Sequence, residues 1–139
     1  MKAHNRRTIE EFRAAGATGG ERPMLLLTTT GARSGLPHTT PLMYVPDGDR
    51  LLVIASNAGA PSHPDWYNNL RARPAVSVEV AGETYQATAV VTGGTERDRL
   101  FAEIAANYPF FTDHQARVSR QIPVVALVRN DNTIQAIQP

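Results

Sequence analysis

Tight turns at Asp47-Gly48-Asp49, Ala81-Gly82-Glu83 and Asn130-Asp131-Asn132 each separate two runs too short for anything but strands. Aspartate, asparagine and glycine tolerate the positive φ that a short hairpin connection needs. The runs are Met24 to Thr30, Thr39 to Val45, Leu51 to Ser56, Ala75 to Val80, Thr84 to Val91, Pro123 to Arg129 and Thr133 to Gln138. Ala75 to Val80 alternates, with Val76, Val78 and Val80 on one face, while Pro123 to Arg129 is apolar without a break. Short strands joined mostly by tight turns predict a mainly-β fold, a small antiparallel barrel with a few flanking helices.

Three helices interrupt or precede these strands. Thr8-Ile9-Glu10-Glu11 opens a short one that Thr8 can cap, and the glycines between Gly16 and Gly20 end it in a flexible joint. Residues 1–20 are therefore read as a leading helix and joint, and residues 21–139 as one barrel domain. Pro64 to Arg71 begins with proline at the first helical position and stops before Pro74. Thr95 to Tyr108 carries the stripe Leu100, Phe101, Ile104, Ala105 and Tyr108, with Thr95 as its cap and Pro109 as its end.

The bulk properties exclude several classes of function. The 139 residues carry 14 basic and 13 acidic side chains, and no basic stripe suited to nucleic acid. The absence of cysteine rules out thiolate chemistry and thiolate metal sites. His4, His38, His63 and His114 show no metal-ligand spacing, so no metal is expected. No apolar run approaches the ~20 residues of a membrane span, and Met1 to Arg13 lacks the apolar core of a signal peptide. The expectation is a soluble protein of the cytoplasm. Lys2, Arg6, Arg7 and Phe12 leave a peripheral membrane contact open.

Three segments carry the candidate chemistry. The loop Gly31-Ala32-Arg33-Ser34-Gly35 follows an apolar strand and a run of threonines. It can turn backbone N–H groups and one guanidinium toward a phosphate or carboxylate. The segment Ala55-Ser56-Asn57-Ala58-Gly59-Ala60-Pro61 leads from a strand toward a helix that holds Trp66 and Asn69. Its small residues let a flat ring approach the backbone, where free N–H groups can bond ring carbonyls. The third segment, Tyr108 to Gln115, spaces Tyr108, Phe111 and His114 for one helical face.

Taken together, Leu25 to Gly35, Thr39-Thr40-Pro41-Leu42, Ala55 to Leu70 and Ile122-Pro123-Val124-Val125 resemble the deazaflavin-dependent nitroreductase family over roughly residues 5 to 129. The resemblance implies a split β-barrel and coenzyme F420, a deazaflavin with a phosphodiester and an oligoglutamyl tail. It implies hydride transfer to a quinone, nitroaromatic or activated alkene. By the same resemblance Gly31, Ala32, Arg33, Ser34 and Gly35 hold the phosphate, and His38 reaches the tail. Thr39, Thr40 and Pro41 lie beside the ring or linker. Ala55, Ser56, Asn57, Ala58, Gly59, Ala60 and Pro61 line the ring, closed by Trp66 and Asn69. Tyr108, Phe111 and His114 contact the acceptor, and Tyr108, Ser56 or His114 supplies the proton. A homodimer is common in barrels of this type.

Two positions depart from the family pattern. Members commonly carry Arg-Lys in the first loop and Lys after the serine of the second, where this chain has Ala32-Arg33 and Asn57. Each lost exposed pair costs about 1 kcal/mol or less. Arg6, Arg7, Arg71 and Lys2 are candidate replacements. Residue chemistry alone also admits FMN as the ring, or a protein that carries the coenzyme or a lipid without turnover.

Overall fold

The computed structural model describes residues 23–130. The leading helix, the glycine joint, the candidate cations before residue 23 and the strand expected at Thr133 to Gln138 lie outside the described residues.

Within them the chain forms β1 (Met24–Thr30), β2 (Pro37–Met43), β3 (Val45–Asp47), β4 (Arg50–Ile54), α1 (Asp65–Ala72), β5 (Ala75–Val80), β6 (Glu83–Val91), α2 (Gly94–Asn107), α3 (Phe110–Ala116) and β7 (Val124–Arg129). The seven strands form one antiparallel sheet in the order β2-β1-β5-β6-β7-β4-β3. The sheet curls until β2 comes beside β4, giving a split barrel.

Alternation along the strands divides the core in two. Leu25 and Leu27 of β1, Val53 of β4, Val76 and Val78 of β5, Ala87 and Ala89 of β6, and Val125 and Leu127 of β7 meet inside the curl. α1 closes that cluster with Trp66, Tyr67 and Leu70. Leu52 and Ile54 of β4 and Val124 and Ala126 of β7 point the other way, onto Leu100 and Ile104 of α2 and Phe111 of α3. β7 is thus covered on both faces, which is why its sequence is apolar without alternation.

Several boundaries differ from the expected ones. The strand expected over Thr39 to Val45 is two strands broken at Tyr44, whose N–H bonds the carbonyl of Pro23. Pro64 stands at the cap of α1, in extended conformation, rather than at its first helical position. Gly93, not Thr95, occupies the cap of α2, because the chain enters the helix two residues earlier. α3 is a separate helix after Tyr108-Pro109, where only a spacing of aromatic residues was legible.

Candidate functional site

The first loop bonds largely to itself. Gly31 N–H donates to Leu36 O (2.8 Å) and Gly35 N–H to Gly31 O (2.9 Å). Leu36 N–H donates to Ser34 Oγ (3.1 Å) and Ala32 N–H to Asn69 Oδ1 (3.0 Å). Of the loop's amides, those of Arg33 and Ser34 have no partner among the described residues. Arg33 is exposed and its guanidinium makes no hydrogen bond or ion pair among the described residues. Space at Gly31 is tight: a Cβ there would meet Ser34 Oγ and lie 2.9 Å from His38 Nε2, so those side-chain ends would have to move aside. His38 and Ser34 therefore close over Gly31 from the exposed side.

Asn69 fastens this loop to α1. Its Oδ1 takes the Ala32 amide and its Nδ2 donates to Thr29 Oγ1 at 3.3 Å. The side chain expected to close the ring wall thus spends its polar atoms on positioning the anion loop. Thr39 faces Thr28 across the β1–β2 pair, with the hydroxyls 2.8 Å apart. Thr40, next on β2, sits opposite Leu27 of β1.

The second segment is wound in an unusual hand. Asn57, Ala58 and Gly59 have φ of 51°, 54° and 81° in succession, two of them bearing a Cβ. That region disfavours such residues, and its occurrence in a candidate ring wall is a functional pointer. Ser56 before them is right-handed (φ −76°, ψ −27°). A right-handed residue followed by a left-handed one gathers successive N–H groups into a concavity that attracts negative charge. The N–H groups of Ser56, Asn57 and Ala58 are unpaired among the described residues. Asn57 Nδ2 donates back to Ser62 O (3.0 Å), tying the turn to the loop beyond it.

A cleft of about 350 Å³ opens where β2 nears β4. Ser56, Asn57 and Ala58 line one side, with Pro41, Leu42, Met43 and Ile54 from the strands. Pro64 and Trp66 come from the start of α1, and Phe110, Phe111 and His114 from α3. Trp66 serves both the core and the cleft. His114 Nδ1 is buried without a hydrogen-bond partner among the described residues. Its ring stands edge-on to Phe110 and Phe111, with centroids 5.6 and 6.0 Å away. Tyr108 is not part of the lining; its ring packs against Phe110 at 6.1 Å. Ala55 is buried beneath the cleft, and Ala60 and Pro61 lie beyond the turn. Arg71 is exposed and holds its guanidinium 5.7 Å from the Tyr67 ring. No group of residues that could hold a metal ion occurs among those described.

Arg120, Gln115, His63 and Arg97 had no role in the site as read from sequence, yet they hold it. Arg120 donates to the carbonyls of Ala55, Ser56 and Ala60 and to His63 Nδ1. Gln115 of α3 donates to Arg120 O (2.8 Å) and accepts from Ile122 N–H (2.9 Å) and Arg97 Nη2 (3.0 Å). The only sequence trace is an arginine and a glutamine in a polar stretch, which reads as a solvated loop.

The His63 contact fixes a protonation state. A guanidinium can only donate, so Nδ1 carries a lone pair and the ring is neutral. Burial, then the Arg120 and Arg71 cations, hold its pKa below the usual 6.5. The unfolded chain therefore takes up this proton first as pH falls. Stability from this group is complete above its ordinary value and is lost from there down to the folded pKa. Urea unfolding at about pH 8 and about pH 5 should show this loss in the wild type and a smaller one in His63→Gln. Equal losses would remove the linkage.

With this geometry in view, known proteins supply the comparison. The pattern of the F420H(2)-dependent quinone reductase family matches residues 3–129. An F420H(2)-dependent quinone reductase of Mycobacterium tuberculosis is 42% identical over 113 residues, covering 79% of this chain and 76% of the relative. A solved F420-H2 dependent reductase superposes with a TM-score of 0.69 at 37% identity, covering 76% of this chain and 94% of that one. A structure described as a domain-swapped dimer gives 0.71 at 35% identity, over 88% and 95%. The matched span includes the Gly31 to Gly35 loop, the turn at Asn57 to Gly59 and the residues that line the cleft. The chain belongs to the F420H(2)-dependent quinone reductase family, a family of oxidoreductases whose coenzyme is F420.

Proposed function

We propose that the chain reduces a quinone in the cleft between β2, α1 and α3, with the coenzyme ring against Ser56 to Pro61 and its phosphate end at Gly31 to Gly35. One observation carries this reading: a cleft lined in part by apolar side chains also presents the unpaired backbone N–H groups of Ser56 to Ala58 and the buried, unpartnered Nδ1 of His114. The backbone N–H groups suit ring carbonyls, and the apolar part of the lining suits a flat acceptor. The coenzyme supplies a hydride from a ring carbon when bound.

The side chains have separate tasks. Arg33 and the free amides of Arg33 and Ser34 meet the phosphate. His38 borders that loop toward the tail. The N–H groups of Ser56 to Ala58 hold the ring. Phe111 and His114 cover the acceptor. A quinone that takes up hydride must also take up a proton. Ser56 and His114 both line the cleft, and the Ser56 hydroxyl has no partner among the described residues. Tyr108 stands third, packed on Phe110 outside the lining. The matched family favours F420 over FMN and turnover over simple carriage. Nitroaromatics and activated alkenes are proposed as secondary acceptors. Likeness to a domain-swapped dimer supports a homodimer here; sedimentation as a monomer at micromolar concentration would remove that.

The test mixes the purified chain with reduced F420 and menadione, or a nitroaromatic, and follows coenzyme oxidation. Quinone-dependent oxidation is expected; tight binding without it would leave only carriage. In the same assay Arg33→Ala should weaken coenzyme binding about fivefold, near 1 kcal/mol for an exposed pair, with kcat at saturation kept. Unchanged affinity takes Arg33 out of the site.

A further inference from the structure

We propose that Arg120 is a positioning residue for hydride transfer, holding the left-handed turn at Asn57 to Gly59 in the shape that meets the coenzyme ring. This inference rests on the ring lying against that turn.

Arginine offers five N–H groups in one plane. All five are used here, and every acceptor belongs to residues 55–63. Nε reaches Ala60 O at 3.3 Å; Nη1 reaches Ala55 O at 3.2 Å and His63 Nδ1 at 3.0 Å; Nη2 reaches Ser56 O at 2.9 Å and Ala60 O at 3.1 Å. Among the described residues no carboxylate pairs with it. A cation with this set of neutral partners gains nothing as half of an ion pair. It acts as a template for one loop.

The template has a directional consequence. In a trans peptide the C=O and the next N–H point opposite ways, and the described residues contain no cis peptide. Drawing the Ala55 and Ser56 carbonyls onto Arg120 turns the Ser56 and Asn57 N–H groups away from it. They are the unpaired groups of the concavity, on residues that line the cleft. The left-handed conformation of Asn57 and Ala58 needs such outside support, since a side chain disfavours it.

Arg120 is itself held by the acceptor side of the cleft. Gln115 donates to its carbonyl, one residue beyond His114 on α3. Ring wall and acceptor lid therefore share one hydrogen-bonded frame.

Lysine keeps the charge but presents three donors from one point. Arg120→Lys should fold, and its kcat with reduced F420 and menadione should fall about 10- to 100-fold, the scale of a misplaced reacting pair. The KM for menadione should stay near that of the wild type, and the ¹⁵N amide signals of Ser56, Asn57 and Ala58 should shift. Arg120→Gln, which loses charge and fork, should fall further, so that lysine counts as partial rescue. An Arg120→Lys enzyme with wild-type kcat overturns the role. If neither variant folds, the wild type decides: the Arg120 Nε–H must exchange with solvent far more slowly than that of Arg33, and equal exchange overturns the proposal. Adding F420 to the wild type separates the two failures. Amides of residues 56–58 that do not move refute the ring placement and Arg120 with it. Amides that move, beside a lysine variant of full activity, refute Arg120 alone.

Discussion

Trp66→Ala should destabilise the protein by about 3 to 5 kcal/mol and abolish coenzyme binding together. Trp66 is only 7% exposed, and it packs with Tyr67 and Leu70 on the cluster inside the curled sheet. Its ring meets Tyr67 edge-on, with centroids 6.5 Å apart. The same side chain forms part of the cleft wall. Truncation therefore opens a cavity between α1 and the sheet while removing a flat surface from the site. Trp66→Phe should retain most of the stability and part of the binding. Because Trp66 is the only tryptophan, unfolding is followed by circular dichroism in urea rather than by indole fluorescence. A loss below about 1 kcal/mol, the ordinary size for a point substitution, would show that α1 collapses to fill the gap.

Arg97→Met is expected to cost about 2 to 4 kcal/mol. Arg97 is also 7% exposed. Its Nε and Nη2 donate to Ile122 O at 3.0 and 2.7 Å, and Nη2 also reaches Gln115 Oε1 at 3.0 Å. Its guanidinium lies 4.4 Å from the centre of the Phe101 ring. Methionine replaces the apolar stem and leaves the Ile122 carbonyl without its buried donors. The partner Asp98 is mostly exposed, so Asp98→Asn should change stability by less than about 0.5 kcal/mol. The contrast between the two variants in urea unfolding is the measurement. Similar costs would mean that the ion pair, not the carbonyl clamp, carries the stability.

β1 and β5 were legible to the residue because apolar or alternating runs were bounded by proline before and glycine after. The two-residue turn at Ala81-Gly82, with φ of 52° and 79°, was legible for the same reason. The candidate anion loop and the candidate ring wall were proposed from glycines and small residues in sequence. What they bond to was not legible. Ala32 and Asn69 meet only because α1 folds back along β1. α3 was hidden because Pro109 reads as a helix end, while here it sits at the cap of the next helix. Arg120 was hidden for a deeper reason. Ion pairs leave a trace in sequence as opposite charges at helical or cross-strand spacing. A guanidinium bonded to carbonyls leaves none, since every residue has a carbonyl.

The placement of β7 has a kinetic meaning. It is the last strand of the described chain, yet it lies between β6 and β4 and is covered on both faces. β4 can neither join the sheet nor bring Ser56 to the cleft until the much later β7 arrives, preceded by Arg120. Non-local closure of this kind is slow, because loop entropy is spent before contacts reward it. A ribosome that has released only the first six strands has therefore made the Gly31 to Gly35 loop without fixing the turn that follows β4. On the ring placement proposed above, the capacity to seat the coenzyme arises in a single late step rather than growing with the chain.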